Sequence, residues 1–458
     1  MLLSTKVQTA DTIVALSTPS GRSGIGVIRL SGPHSLSIAR RLVQNKEFTP
    51  EPNQVILKSI RDPGSGGVLD RALVTFFKSP HSFTGEDVIE LSCHGSPVLL
   101  RQLIDAILSL DARLAGPGEF TLRALANGRL NLSQAEAVRD LIDAQTGAAV
   151  RQAARQMNGE LSTLLQPLKD ALIEIIVPLE SSLEFVEDDL PDVAVDQIST
   201  KLADLISRIE KLAATFRAGR LLRDGLKVTL VGRPNVGKSS VFNSLLVADR
   251  AIVTDVPGTT RDTLSEVINI QGIPVLLTDT AGVRSSEDQI EALGVERTRR
   301  AVADADLVLV VLDSSQPLTS EDKGVLAEVS DCLSLVVFNK SDLAAAVNGN
   351  DDSSITGVVV SAKTGAGLED LRAAIIEPFA AHDLQDMGLL ITDARHYDLL
   401  RRAQSSLTTS SEALGQRLSE ELILVGLYNA LRYLGEITGE TTPDDVLSQI
   451  FATFCIGK

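Results

Sequence analysis

From about Asn131 the apolar residues recur at spacings of three and four. Leu161, Leu164, Leu165, Leu168, Leu172, Ile175, Ile176, Leu179 and Leu183 form one stripe, the signature of an amphipathic helix. Pro167 and Pro178 are expected to kink it. After the acidic break Glu187-Asp188-Asp189-Leu190-Pro191, a second stripe at Ile198, Leu202, Leu205, Ile206, Ile209, Leu212, Ala213 and Phe216 predicts another helix. Residues 1 to 125 read differently, as short strand-like runs (Gly26 to Leu30, Ala72 to Phe77) among Gly, Pro and Ser clusters, which predicts a small mixed α/β domain. From Leu226 to about Ala374, strand-like runs alternate with helical ones: Lys227 to Val231, Val275 to Thr278, Leu307 to Leu312, Leu335 to Phe338 and Val358 to Val360. That alternation predicts a mostly parallel, doubly wound sheet. Asn348 to Ser354 reads as a surface loop, and helical spacing returns from about Thr392 to Gly439.

Both helical stretches need a partner for their apolar faces. The simplest packing joins 131–219 and 392–450 in one bundle, with the α/β domain inserted between them; the alternative is two separate helical pieces. The expected fold class is α/β plus α, with domain boundaries at 1–125, 126–222, 223–380 and 381–458. A length of 458 residues suits about three domains.

Charge narrows the partners. Against 43 Lys and Arg stand 60 Asp and Glu, a net of -17, which excludes an overall basic coat for nucleic acid. Residues 1–130 nevertheless carry a net +3 and the rest -20, so RNA contact is expected to be local, at the N-terminal part. Three cysteines, Cys93, Cys332 and Cys455, are odd in number and far apart, against a disulfide framework or a paired-cysteine zinc site. Cys93-His94 lacks further ligands at zinc spacing, and Cys332 is expected to pack. No apolar stretch approaches the ~18 residues of a membrane span. A reducing, cytoplasmic location without membrane attachment is expected.

Gly232-Arg233-Pro234-Asn235-Val236-Gly237-Lys238-Ser239 fits G-x-x-x-x-G-K-S and falls between a strand and a helix, where loop amides and a helix N-terminus can hold phosphates. Lys238 would reach the β and γ oxygens and the Ser239 hydroxyl would bind Mg²⁺. Asp279-Thr280-Ala281-Gly282 follows the next strand-like run, placing Asp279 for the Mg²⁺ shell and the Gly282 amide for the γ-phosphate. Asn339-Lys340-Ser341-Asp342 offers the Asp342 carboxylate to guanine N1 and N2, donors that adenine lacks. Ser361-Ala362-Lys363 would close over the base, and Gly258-Thr259-Thr260-Arg261-Asp262 would supply a threonine to Mg²⁺. Five such groups in this order indicate a GTPase of Ras-like fold. Ras-like proteins place a water-orienting glutamine after Asp-x-x-Gly, but here Val283 stands there. Glu287, Asp288 and Glu291 are candidates to replace it, with Arg284 nearby; spacing alone does not choose among them.

Flanked by Gly85-Glu86-Asp87-Val88-Ile89-Glu90, Gly118-Glu119-Phe120-Thr121, Asn131-Leu132-Ser133-Gln134-Ala135-Glu136-Ala137 and Cys455-Ile456-Gly457-Lys458, these motifs make the sequence resemble the MnmE (TrmE) family of tRNA uridine-modification GTPases across nearly its whole length. The resemblance implies an N-terminal tetrahydrofolate-binding domain that forms a homodimer, a helical domain, and a GTPase domain inserted into it. It implies a FAD-dependent partner, MnmG (GidA), forming a hetero-oligomer. Together they add a carboxymethylaminomethyl group to C5 of the wobble uridine of certain tRNAs, the one-carbon unit coming from a 5-formyl or 5,10-methylene tetrahydrofolate.

By the same resemblance, Arg29, Glu90, Arg129 and Lys458 match folate-contacting positions, Arg129 where a lysine also occurs. Cys455 matches the family's candidate for chemistry. The GTP site would comprise Asn235, Val236, Gly237, Lys238, Ser239 and Ser240, then Thr254, Asp255, Val256, Pro257, Gly258, Thr259 and Thr260, with Asp279 to Gly282, Asn339, Lys340, Asp342, Ser361, Ala362 and Lys363. A potassium ion would be held by Asn235, Thr254, Val256 and Thr259, and Mg²⁺ by Ser239 and Thr260. Glu291 matches the water-orienting glutamate. The alternative reading, an Era-type RNA-binding or ribosome-assembly GTPase without modification chemistry, shares the phosphate loop but would not carry these flanks.

Overall fold

The computed structural model describes residues 11–184, 192–248, 264–279, 301–343, 355–379, 388–440, 447 and 450–457. They divide into two compact units: residues 1–142, 155–206 and 402–458 in the first, 143–154 and 207–401 in the second.

The first unit opens with β1 (Thr12–Leu16), β2 (Ile25–Ser31), α1 (Ser35–Leu42), β3 (Val55–Arg61), β4 (Val68–Phe77), β5 (Val88–His94), α2 (Pro97–Leu108), β6 (Ala112–Leu114) and α3 (Glu119–Ala126). The strands form one mixed sheet in the order β3-β4-β5-β2-β1-β6, with β1 and β6 parallel and the other pairs antiparallel. Strand side chains alternate between faces, and Ile28, Leu30, Val74, Ile89, Leu91 and Cys93 join Ile38 and Leu42 of α1 and Leu103 and Ile107 of α2 in one core. Arg29 and Glu90, offset by one residue, are therefore on the opposite face.

Helices α4 (Leu132–Asp143), α5 (Gly147–Met157), α6 (Glu160–Glu184), α7 (Asp192–Ala214) and α8 (Phe216–Asp224) follow. The stripe on α6 is buried at Leu161, Leu165, Leu168, Leu172, Ile175, Ile176 and Leu179, but Leu164 is 46% exposed, because its neighbour Leu165 takes the inward position. The helix runs on through Pro167 and Pro178.

The second unit holds β7 (Leu226–Val231), α9 (Lys238–Ala248), β8 (Leu264–Ile270), β9 (Ile273–Asp279), β10 (Leu307–Asp313), α10 (Ser320–Glu328), β11 (Ser334–Asn339), β12 (Gly357–Val359) and α11 (Leu368–Ile376). Their sheet order is β12-β11-β10-β7-β9-β8, parallel throughout except for the β8–β9 hairpin at one edge. The parallel, doubly wound expectation holds. The antiparallel edge strand β8 went unread in the sequence. β10 is buried at every position, as a central parallel strand covered on both faces requires.

The chain returns through α12 (Ala394–Gly415) and α13 (Glu420–Thr438). Within the first unit α13 packs on α6, so helices from before and after the α/β segment share a core and that segment is an insertion. Lys169 of α6, nearly buried, pairs with Glu440 just beyond α13. Asn348 to Ser354, read as a loop, lie outside the described residues.

Candidate GTP-binding site

The phosphate loop occupies the turn between β7 and α9. Its path uses left-handed backbone at Asn235 (φ 65°) and Gly237 (φ 96°), conformations that favour glycine and are tolerated by asparagine. Gly232 is required for a second reason: a Cβ there would lie 2.4 Å from the Val311 carbonyl oxygen. A Cβ on Gly237 would lie 2.3 Å from Asn339 Nδ2. Val236 is fully buried and pins the middle of the loop.

Lys238, 8% exposed, donates from Nζ to the carbonyls of Gly232 at 2.7 Å and Arg233 at 3.0 Å. The ammonium therefore lies along the loop, where the phosphates of a nucleotide would be cradled. Ser239 Oγ donates to Asp279 Oδ2 at 2.7 Å. A hydroxyl and a nearly buried carboxylate converging at a helix N-terminus are the hard oxygen ligands that Mg²⁺ prefers, so these residues fit that ion.

The base end is built around Asn339, which is 2% exposed. Its Nδ2 donates to the Val236 carbonyl at 3.0 Å and its Oδ1 accepts from Ala362 N at 3.1 Å. One side chain thus ties the loop after β11 to the phosphate loop and to the loop after β12. Ser361 Oγ donates to Asp342 Oδ1 at 2.7 Å, orienting the carboxylate assigned to guanine. Lys340, at φ 67°, donates to Asp313 Oδ2 at 2.6 Å. Burial raises the Asp313 pKa, but hydrogen bonds from Lys340 and Ser315 outweigh it and hold the carboxyl below its ordinary value. Ser244 of α9 donates to the Ala362 carbonyl at 2.8 Å, fixing the third loop to the helix that follows the first.

The described residues thus bring Asn235 to Ser240, Asp279, Asn339, Lys340, Asp342 and Ser361 to Lys363 to the same end of the sheet, at or beyond the ends of β7, β9, β11 and β12. Thr254, Asp255, Val256, Pro257, Gly258, Thr259, Thr260, Thr280, Ala281, Gly282, Val283, Arg284, Glu287, Asp288 and Glu291 lie outside the described residues, as does Lys458.

Comparison with known proteins settles the family. The model described as "GTP-binding protein TrmE N-terminus" matches residues 12–129, and the one described as "MnmE helical domain" matches residues 132–455. Proteins named "tRNA modification GTPase MnmE" align along nearly their whole length. The one from Koribacter versatilis is 43% identical, covering 98% of this chain and 99% of its own; that from Aquifex aeolicus is 42% identical, covering 98% and 100%. The chain belongs to the MnmE family. It is accordingly a GTPase, as its motifs indicate. Among solved structures, the G domain of the T. maritima FeoB iron transporter is 28% identical, covering 33% of this chain and 97% of that one at a TM-score of 0.25, too low to add to the fold description.

Outside the nucleotide site, the other positions carried over from the MnmE resemblance fall in the first unit. Arg29 and Glu90 face each other across β2 and β5, joined by a hydrogen bond of 2.9 Å from Nε to Oε1 and an ion pair with Nη2 2.8 Å from the same oxygen. The Arg29 guanidinium lies 5.8 Å from the ring centres of both Phe83 and Phe120. It also donates from Nη1 to the Gly457 carbonyl at 3.5 Å, and Ser17 Oγ donates to that oxygen at 3.2 Å. Residues 455–457 are seated by two further contacts: the Gly118 amide donates to the Cys455 carbonyl at 3.3 Å, and Pro117 bridges Ile456. Cys455 itself is exposed. Arg129 is exposed, with its stem against Gly85.

Two glutamates of the motifs that carried the resemblance serve a buried ion-pair cluster. Glu86 and Glu119 both accept from Arg123, a fully buried arginine that also pairs with Asp11. Sequence reading passed over Arg123, whose partners come from distant strands and loops. Cys93 belongs to the core and its thiol is pushed up to about 12, first by burial and then by the Asp70 charge. Its neighbour His94 pairs through Nδ1 with Asp70 at 2.7 Å. Among the described residues no cluster of His, Cys, Asp and Glu is placed to hold a metal, and no helix is long and apolar enough to cross a membrane. Cys332 packs beside the β10 core, as expected.

Proposed function

We propose that this GTPase acts in tRNA modification, adding a carboxymethylaminomethyl group to C5 of the wobble uridine of certain tRNAs, as a homodimer working with the FAD-dependent MnmG protein. The observation that carries this reading is the Arg29–Glu90 pair with residues 455–457 seated beside it. A guanidinium next to two aromatic rings suits a ligand with a flat heterocycle and carboxylates, and a tetrahydrofolate derivative has both. Arg29 and Glu90, being in contact, would meet its pterin end together, with Glu90 accepting from the ring, and Arg129 and Lys458 would hold its carboxylates. The folate would supply the one-carbon unit, and Cys455, exposed on the seated segment, is the side chain available for covalent chemistry there.

At the other site, the loop amides and Lys238 would bind the phosphates, Ser239 with Thr260 and Asp279 would hold Mg²⁺, and Asp342 would select guanine. Glu291 would orient the attacking water. Asn235 with Thr254, Val256 and Thr259 would hold K⁺, whose charge complements the transferring phosphoryl group. The N-terminal residues, with their net positive balance, are the least repulsive approach for tRNA.

Calorimetry of the full chain with 5-formyltetrahydrofolate tests the folate reading. Binding is expected, and Arg29→Ala should weaken it by about tenfold or more, the usual loss for a charged hydrogen bond. An unchanged affinity would reject the site. Mass spectrometry of wobble nucleosides from cells with and without the gene tests the modification.

A further inference from the structure

The phosphate loop is held in a shape its own sequence does not enforce. Asn235 takes a left-handed backbone and Gly237 a similar one, so the fold must fasten the loop from outside. The second half is fastened by buried Val236 and by Asn339. The first half is fastened by Arg233, whose Nε donates to Asp322 Oδ1 at 3.1 Å and whose Nη2 donates to Gln316 Oε1 at 3.1 Å.

Asp322 cannot turn away. Its side chain is 3% exposed, and its other oxygen accepts from the Thr319 amide at 3.0 Å and hydroxyl at 2.8 Å. The Asp322 amide donates back to Thr319 Oγ1 at 3.2 Å, completing the capping box that starts α10. The carbonyl of Arg233 is in turn one of the two that position the Lys238 ammonium. A rigid chain of contacts therefore runs from the α10 N-terminus through Arg233 to the lysine of the loop.

We infer that Arg233 and Asp322 form a latch that pre-shapes the phosphate loop, making Arg233 a positioning residue for nucleotide binding. The inference rests on assigning residues 232–239 to the nucleotide phosphates. The latch acts on the bound ground state and the transition state alike, so it governs affinity more than turnover. A pair that served only to start α10 would change melting temperature and leave affinity alone.

The test uses the full chain with Arg233→Lys, Asp322→Asn and the double variant. Fluorescent GDP titration, KM and kcat for GTP, and nucleotide-free melting are measured for each. Each single variant is expected to raise the GDP Kd and the GTP KM by about tenfold, with kcat within about twofold. The double variant should be no worse than the weaker single, because both remove one contact. Arg233→Lys keeps the charge but not the fork, and should retain the parent melting temperature. If Asp322→Asn does not fold, Gln316→Ala offers the milder change and should raise Kd about twofold to threefold. Unchanged Kd, additive losses, or a fall in kcat at constant KM would overturn the latch. A parent chain that binds no guanine nucleotide would overturn the site assignment instead.

Discussion

Asn339 donates to the carbonyl of Val236 at 3.0 Å, joining the end of β11 to the middle of the phosphate loop. Because Val236 is fully buried, no water replaces the donor once it is removed. Asn339→Ala is expected to cost about 1 to 3 kcal/mol of nucleotide affinity, the penalty of an unsatisfied buried acceptor. GDP titration should show a Kd raised roughly fivefold to more than a hundredfold. An unchanged Kd would remove Asn339 from the site.

Asp342, oriented by Ser361, is expected to set base selectivity. Asp342→Asn exchanges an acceptor for a donor, so GTP should weaken by about 1 to 3 kcal/mol, while xanthosine triphosphate, with a carbonyl at C2, should gain. Competition against fluorescent GDP measures both. Equal losses for the two purines would place the carboxylate elsewhere.

Turnover is expected to separate from binding at Glu291. Glu291→Ala should keep GTP affinity within a few-fold and lower hydrolysis by a factor on the order of 10² or more, the scale for losing a positioned polar group. Hydrolysis should be fast in K⁺ and slow in Na⁺. Steady-state phosphate release in both salts reads the two effects, and full activity of the alanine variant would return the search to Glu287 and Asp288.

Acid should loosen the second unit at Asp393. Its Oδ2 accepts from Arg223 at 2.6 Å and its Oδ1 from the Arg395 amide at 2.7 Å. Burial pushes its pKa up, yet the His396 and Arg223 charges and these hydrogen bonds bring it down from 3.8 to about 2. A carboxyl with a depressed folded pKa stabilises the fold above its unfolded value and loses that contribution as pH falls from about 4 to about 2, here about 2 kcal/mol. Arg223→Ala should therefore raise the acid midpoint followed by circular dichroism. A midpoint that does not move would contradict the pairing.

The nucleotide motifs were legible because each is short, local and tied to the end of a strand: Gly232 to Ser239 after β7, Asp279 closing β9 and Asn339 closing β11. Strand β8 was missed although Gln271-Gly272, both at positive φ (52° and 92°), make the tight hairpin that follows it. Glutamine is not a usual resident of such a turn, so the signal is weak. The buried Arg123 cluster and the Arg233–Asp322 contact were illegible for a different reason. Their partners are separated by up to 112 residues and 89 residues, and no local spacing encodes a contact between distant loops. Likewise the residues of the last motif could be named, but not their seat against Gly118 and Arg29.

That seat imposes an order on synthesis. Gly457 meets Arg29 from 428 positions away in the chain, and Phe451 and Phe454 fill the space against Gly118. A ribosome releases β2 long before it has made either phenylalanine. The N-terminal sheet can close early on its own core of α1 and α2, but the opposite face, at Arg29, stays without its C-terminal neighbour until the whole insertion has been translated. A chain interrupted anywhere in between would carry a folded N-terminal sheet whose Arg29 face lacks the 455–457 segment.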